Sequence, residues 1–311
     1  MQELLVISGK GGTGKTSIVA ALAALAEDKV LADCDVDAAD LHLLLRPEVE
    51  SVNEFYGSDK AVIDPGLCTG CGRCREVCRF GAVMEAKPEK ENSEDDSGKL
   101  VFQVDSLECE GCGVCTLVCP AGAIAMQPNL AGYWYISATP YGPLVHAQLG
   151  LAEENSGKLV TKVRQEARRL AEENNARLII TDGPPGIGCP VISSLTGVTL
   201  ALAVTEPTVA GRHDLERVVK LAGHFRVPVA VCINKYDLAP EKSREIEAYC
   251  YDAGLTIAGK IPFDADVARA LVNGVPLMAC SRGVAASAVQ AMWDSLMVRL
   301  ERMAKEQNGH S

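Results

Sequence analysis

No apolar run in this 311-residue sequence is long enough to cross a bilayer, although 48 % of its residues are hydrophobic. The pairing excludes a helical membrane span and predicts a soluble, globular chain with ample core material and room for more than one domain. A long basic stretch is also missing, and the formal net charge is -11. General nucleic-acid binding, which rests on Lys and Arg contacts to phosphate, is thereby disfavoured, and basic or neutral protein partners fit better. No hydrophobic export segment opens the chain, where MQELLVISGK begins a buried strand instead. A reducing, cytoplasmic setting is expected, and a disulfide framework is not.

Cysteine, by contrast, is abundant and patterned. Eight of the thirteen fall into two near-copies of one run, Cys68-x2-Cys71-x2-Cys74-x3-Cys78 and Cys109-x2-Cys112-x2-Cys115-x3-Cys119, the second followed by Pro120. DPGLCTGCGRCREVCRFGAV from Asp64 repeats as DSLECEGCGVCTLVCPAGAI from Asp105 at an offset of 41, so the likeness extends beyond the cysteines. The spacing resembles that of bacterial two-cluster ferredoxins, in which the fourth Cys of each run ligates the other cluster. That resemblance implies one four-iron four-sulfur cluster on Cys68, Cys71, Cys74 and Cys119, and a second on Cys109, Cys112, Cys115 and Cys78. Paired Cys-x2-Cys motifs also build zinc sites, but four cysteines per run exceed what a zinc ribbon needs. Arg79 stands where a proline usually follows the first run. Between the runs, the segment from Glu85 to Lys99 carries six acids against three lysines and reads as a solvated loop, or as a docking segment for a redox partner.

At the N-terminus, apolar Leu4 to Ile7 runs into SGKGGTGKTS and then the helical IVAALAALA. Strand, glycine loop and helix form a phosphate cradle: backbone N-H groups of Gly9, Gly11, Gly12, Thr13 and Gly14 approach phosphate, Lys15 reaches the terminal phosphates, and Thr16, followed by Ser17, ligates magnesium. The extra Lys10 makes this loop resemble that of the MinD, ParA and Mrp class of ATPases and of nitrogenase iron protein. The resemblance implies an ATP-dependent homodimer in which Lys10 reaches the partner's phosphates. It also makes VLADCDVDAADLHLLL, from Val30, a second strand and switch I with Asp35 near magnesium or the attacking water, and LIITDGPPGIG, from Leu178, a Walker B strand and switch II with Asp182 at the magnesium end. By the same resemblance Asn234, in the Asn-Lys-x-Asp that closes VAVCINKYD, would bind the adenine edge of ATP or ADP, with Pro262 and Phe263 packing near the base. Asp33, Asp37 and Asp40 read as turn or capping residues.

Apolar strand candidates at Leu4 to Ile7, Val30 to Ala32, Tyr133 to Ser137, Leu178 to Thr181, Leu200 to Val204, Val229 to Ile233 and Ile257 to Ile261 mostly alternate with helical stretches. This predicts a doubly wound α/β P-loop fold with a mostly parallel sheet and its ligand at the carboxyl ends of the strands. The alternation fails between the second strand and Tyr133, so the expected domains are a discontinuous ATPase core, 1–60 and 128–311, and an inserted ferredoxin-like α+β domain, 61–127. Most specifically, the whole chain resembles MinD-superfamily ATPases with an inserted ferredoxin domain.

An N-capped amphipathic helix is expected from Ser156, and a core-packing helix from about Val284 to Met303 with Val289, Trp293, Leu296 and Leu300 inward. His213 and His224 sit in a helix without ligand spacing, and Cys232, Cys250 and Cys280 read as buried thiols. Cys189, seven residues after Asp182, matches the offset of a cluster-ligating cysteine in nitrogenase iron protein; it reads as a loop-packing residue or as a ligand shared across the dimer. Three functions compete: an ATP-gated electron carrier or reductase acting on a protein redox partner, a maturation ATPase delivering clusters or metal to a client metalloenzyme, and a positioning ATPase with structural clusters. The C-terminal Cys-x-x-Cys by which Mrp-type carriers hold a bridging cluster is missing.

Overall fold

The computed structural model describes residues 1–86, 100–150, 153 and 156–308. In chain order the elements are β1 (Gln2–Ser8), α1 (Lys15–Leu25), β2 (Lys29–Asp33), α2 (Leu41–Leu45), β3 (Glu48–Tyr56), β4 (Lys60–Ile63), α3 (Arg73–Val77), β5 (Val83–Ala86), β6 (Val101–Val104), α4 (Val114–Val118), β7 (Ile124–Gln127), β8 (Leu130–Ala138) and β9 (Leu144–Leu149). There follow α5 (Ser156–Glu173), β10 (Leu178–Pro185), α6 (Cys189–Leu195), β11 (Leu200–Thr205), α7 (Val209–His224), β12 (Val229–Asn234), α8 (Pro240–Asp252), β13 (Thr256–Ile261), α9 (Ala265–Val272), α10 (Leu277–Cys280) and α11 (Val284–Asn308).

Nine strands form one sheet in the order β13-β12-β11-β1-β10-β2-β9-β8-β3. Every pairing from β13 to β9 is parallel. Such strands need apolar residues on both faces, and the period of two along β1 supplies them. Leu4 and Val6 join Leu31, Leu202, Trp293 and Leu296 in one core, while Leu5 and Ile7 join Val231, Leu215 and Ile246 in the other. Val289, Trp293, Leu296 and Leu300 recur at helical spacing on α11 and are all buried. The seven expected strands are all present. Two more were not foreseen, β9, which pairs with β2, and β3, which forms the far edge. Helix α5 starts at Ser156 itself, so this serine is its first residue rather than the residue before it.

The chain divides into two compact units, one of Met1–Asn53, Tyr133–Leu149 and Ser156–Ser311, the other of Glu54–Gly132 and Gly150–Asn155. The second unit is thus wider than the expected 61–127 and includes a short return segment. There Glu153 accepts hydrogen bonds from Lys60 Nζ (3.2 Å) and Asn129 Nδ2 (2.8 Å). Within this unit the sequence repeat becomes a structural one. Antiparallel β4–β7 and β5–β6 ribbons flank the five-residue helices α3 and α4. Asp64 N bonds Ala123 O at 2.8 Å, and its counterpart Asp105 N bonds Ala82 O at 2.7 Å. Gly70 and Gly111 both have positive φ, and a Cβ on either would press within 2.3 or 2.2 Å of the carbonyl oxygen of Leu100 or Asp59. Glu85 belongs to β5 and pairs with Arg75 at 2.5 Å, whereas 87–99 of the expected acidic loop lie outside the described residues.

Candidate functional site

The carboxyl end of β1 runs into the glycine loop, and α1 begins at Lys15 behind Gly14, which is left-handed at φ 88°. A Cβ on Gly14 would lie 2.4 Å from Asn234 Nδ2, so glycine permits the close approach of β12 to the loop. Asn234 donates that Nδ2 to Thr13 O at 2.7 Å and accepts Lys235 N on Oδ1 at 3.0 Å. Its amide therefore braces the loop. The Ser8 hydroxyl donates to Lys10 O (2.8 Å), and Gly186 N donates to Ser8 O (2.9 Å), linking the loop to the segment after Asp182.

Lys15 is buried, with Nζ 2.5 Å from Asp182 Oδ1 and 3.4 Å from Asp35 Oδ2. Burial works against its charge, but Asp182 and Asp35 outweigh burial, and its pKa is raised. Asp35 is raised by burial and by Asp182, with Lys15 opposing. Asp33, fully buried, is pushed well above the usual carboxylate range by burial and by Asp182. It accepts Asp35 N (3.1 Å) and Leu41 N (3.2 Å), which is the expected turn chemistry, yet it also stands in this charge cluster as a site residue that sequence reasoning set aside. Only the Asp-x-Asp spacing beside a strand end could have marked it.

A cavity of about 550 Å³ opens over this cluster, ample for a small-molecule ligand. Gly11, Gly12, Thr13, Gly14, Lys15, Thr16, Ser17, Asp35 and Asn234 line it, with an apolar wall that includes Ile18, Leu44, Leu271 and Val289. Gly9, Lys10, Asp182, Pro262 and Phe263 are not among its lining residues. Phe263 is exposed, its N-H bonded to Asp237 Oδ1 at 2.7 Å. Lys10 turns to Glu206, an acid with no motif to announce it, at 2.6 Å.

The eight patterned cysteines line two small cavities in the second unit. Cys68, Cys71, Cys74 and Cys119 surround one, and Cys78, Cys109, Cys112 and Cys115 the other. Gly70 N points at Cys68 Sγ (3.4 Å) and Ala123 N at Cys119 Sγ (3.3 Å). Burial raises the Cys74 and Cys115 thiols, while the exposed Cys71 is lowered, chiefly by the backbone N-H of Arg73. Among the described residues no three His, Cys, Asp or Glu side chains converge as ligands of one metal ion would. Elsewhere, Cys232 and Cys250 are buried, their thiols pushed up to about 12 and about 11 by burial. Cys280 is exposed, contrary to expectation, because it closes the four-residue α10 at the surface; Cys189, first residue of α6, is exposed too.

The donor set suits a magnesium nucleotide. Asp182 Oδ2 and Thr13 Oγ1 are buried without a hydrogen-bond partner among the described residues, and the hydroxyl of Thr16 and carboxylates of Asp35 and Asp182 are hard oxygen donors. A glycine loop between a buried parallel strand and a helix, with acids at the ends of neighbouring strands, defines a P-loop nucleotide-binding protein. The chain belongs to the CbiA family, the CobQ/CobB/MinD/ParA nucleotide binding domain, which it matches over residues 4–277.

An uncharacterised protein of Methanocaldococcus jannaschii is 31 % identical over 299 residues, 95 % of this chain and 96 % of that one. An iron-sulfur cluster carrier protein of Pyrococcus abyssi is 26 % identical over 159 residues, covering 47 % of this chain and 54 % of the carrier, about half of each. Among solved structures, the cell division ATPase MinD of Pyrococcus furiosus superposes with a TM-score of 0.54 at 16 % identity, covering 95 % of this chain and 98 % of that chain. The septum site-determining protein MinD of Pyrococcus horikoshii, complexed with Mg-ADP, gives 0.54 at 15 %, covering 95 % of each. At such identities the likeness shows the fold. No helix among the described residues is long and apolar enough to cross a membrane.

Proposed function

We propose that this protein is a homodimeric ATPase that carries two four-iron four-sulfur clusters and uses ATP to gate electron transfer to a protein partner. The observation that carries the reading is the exchange of fourth cysteines: Cys119 lines the cavity of the first run, and Cys78 that of the second. Two cavities each ringed by four thiols suit a cubane, which spreads its ligands apart, better than one tetrahedral ion. Bound there, the clusters would supply one-electron storage and transfer.

The nucleotide side rests on Lys15. It ties Asp35 of the switch I segment to Asp182 at the head of switch II. Lys15 drawn to a terminal phosphate would leave both carboxylates at once, and Asp35, Asp182 and the Thr16 hydroxyl would then be free to hold magnesium. Both segments would then exchange the lysine tether for one that depends on the bound nucleotide, a local cause for movement of the kind that phosphate-sensing loops make. Lys10 does not line its own chain's cavity, which supports assigning it to the phosphates of a second copy.

Cluster delivery is the second reading, favoured by the likeness to the iron-sulfur cluster carrier protein of Pyrococcus abyssi. Anaerobic cycles of reduction and reoxidation separate the two. A gated carrier keeps its iron and sulfide throughout, even with apo-ferredoxin present, whereas transfer of clusters to the apo-ferredoxin would replace this reading by the second.

A further inference from the structure

Lys10 lies on the loop, but its ammonium is held by an acid of another element. Glu206 directly follows β11, whose pairing with β1 runs Leu4 to Leu200 through Ile7 to Ala203, so the two strand ends deliver Lys10 and Glu206 side by side. Nζ of Lys10 lies 2.6 Å from Glu206 Oε1. The backbone leading to Lys10 is fixed as well: a Cβ on Gly9 would meet Asp214 Cβ at 2.3 Å and Asp214 O at 2.8 Å, so α7 sets the position of the loop. The other oxygen, Oε2, faces Lys235 Nζ at 3.4 Å, and Lys235 Nζ also lies 3.5 Å from Gly12 O. The Glu206 side chain is only 17 % exposed, against 33 % for Lys10 and 31 % for Lys235.

A carboxylate this sheltered would be costly to strand without a cation. Lys235 removes that cost. When Lys10 leaves, Glu206 keeps a counter-charge on its second oxygen, so the lysine is held but releasable.

We infer that Glu206 is the positioning residue for Lys10: it holds the ammonium within its own chain until the phosphates of a second, nucleotide-loaded copy compete for it, and so sets the threshold for dimerisation. The inference rests on the proposed action of Lys10 across a homodimer. Each dimer must release two such pairs, so the effect of one substitution counts twice.

The test measures the dimer dissociation constant of anaerobically purified full-length protein with Mg-ATPγS, by sedimentation velocity, for the native chain, Glu206→Gln, Lys10→Ala and the double variant. Glu206→Gln is expected to tighten the dimer roughly tenfold, two partly exposed ion pairs no longer having to be broken. In the Lys10→Ala background, where ATP-dependent dimers are lost, the same change is expected to restore none, whereas an effect of Glu206 independent of Lys10 would still strengthen association. Glu206→Asp, which keeps the charge, should restore the native value within about threefold. Weaker dimers from Glu206→Gln, or the same gain with and without Lys10, would overturn the inference. Native dimerisation of Lys10→Ala alone would instead overturn the trans role on which it rests.

Discussion

Lys15 joins the charge cluster, because one buried ammonium pairs with carboxylates from two segments, Asp35 after β2 and Asp182 on β10. Lys15→Ala removes the cation and leaves the buried Asp182 without its partner. It is expected to lower nucleotide affinity by roughly a hundredfold or more, the loss of charge-assisted bonds to phosphate, and to destabilise the fold by about 3 kcal/mol. Lys10→Ala, whose cation lies outside the cavity, should retain most nucleotide affinity and lose ATP-dependent dimerisation and hydrolysis. Fluorescent-nucleotide titration beside thermal unfolding reads both; equal loss of affinity in the two variants would contradict the division of labour. Asp35 adds a pH signature. Its folded pKa is raised by burial and Asp182, so the folded chain binds the proton more tightly than the unfolded one, whose aspartate titrates at about 4. Ionising Asp35 therefore costs stability as pH rises above that value. Asp35→Asn should gain stability relative to the native chain from about pH 4 upward and level off once the native Asp35 has ionised. Urea melts across that range decide the matter, and a gap that narrows with rising pH would refute the sign.

Among the elements, α5 is fastened by a buried fork. Arg164 Nε and Nη2 each lie 2.8 Å from a Glu3 oxygen on β1, and Nη1 reaches Ser193 O on α6 at 2.7 Å. Arg164→Ala is expected to cost about 2 kcal/mol, because it removes the fork and leaves the buried Glu3 with Arg168 as its remaining cation, at 2.9 Å, while Arg164→Met with Glu3→Leu should recover most of that loss in denaturant melts. In the second unit, α3 and α4 deliver cysteines in an exchanged pattern. Cys119→Ser is accordingly expected to disturb the cluster of the first run; EPR that changed only for the second-run cluster would refute the exchange.

How much of this was legible follows from the same elements. Six of the seven strands that could be read in advance lie in the parallel part of the sheet, where a largely covered strand writes itself as a short apolar run; the seventh, β8, showed only through its aromatic YWYI and is half-buried. β3 and β9 could not: EVESVNEFY alternates acids along an exposed edge, LVHAQL is interrupted by a buried histidine, and both owe their pairing to distant segments. Lys15 was readable from the spacing of the glycine loop, whereas Lys10, Asp35 and Asp182 were assigned through the family resemblance. Asp33 looked like any turn aspartate, and Glu206 carries no local pattern, since only the adjacency of β1 and β11 brings it to Lys10. Asn234 was assigned to a base by resemblance; in this structure it lines the cavity, with its amide on Thr13 O and Lys235 N.

At the scale of the whole molecule, the central claim is that one chain joins a phosphate-sensing α/β core to a module holding two clusters, and that nucleotide binding alters those clusters. EPR of the anaerobically purified, dithionite-reduced protein, recorded with and without Mg-ATP, tests it most directly. The account predicts the signal of two interacting reduced four-iron clusters, from about eight iron atoms per chain, with a line shape that shifts when Mg-ATP is added and does not shift in Lys15→Ala. Tightly bound zinc with no paramagnetic reduced species, or a cluster spectrum indifferent to nucleotide, would contradict it.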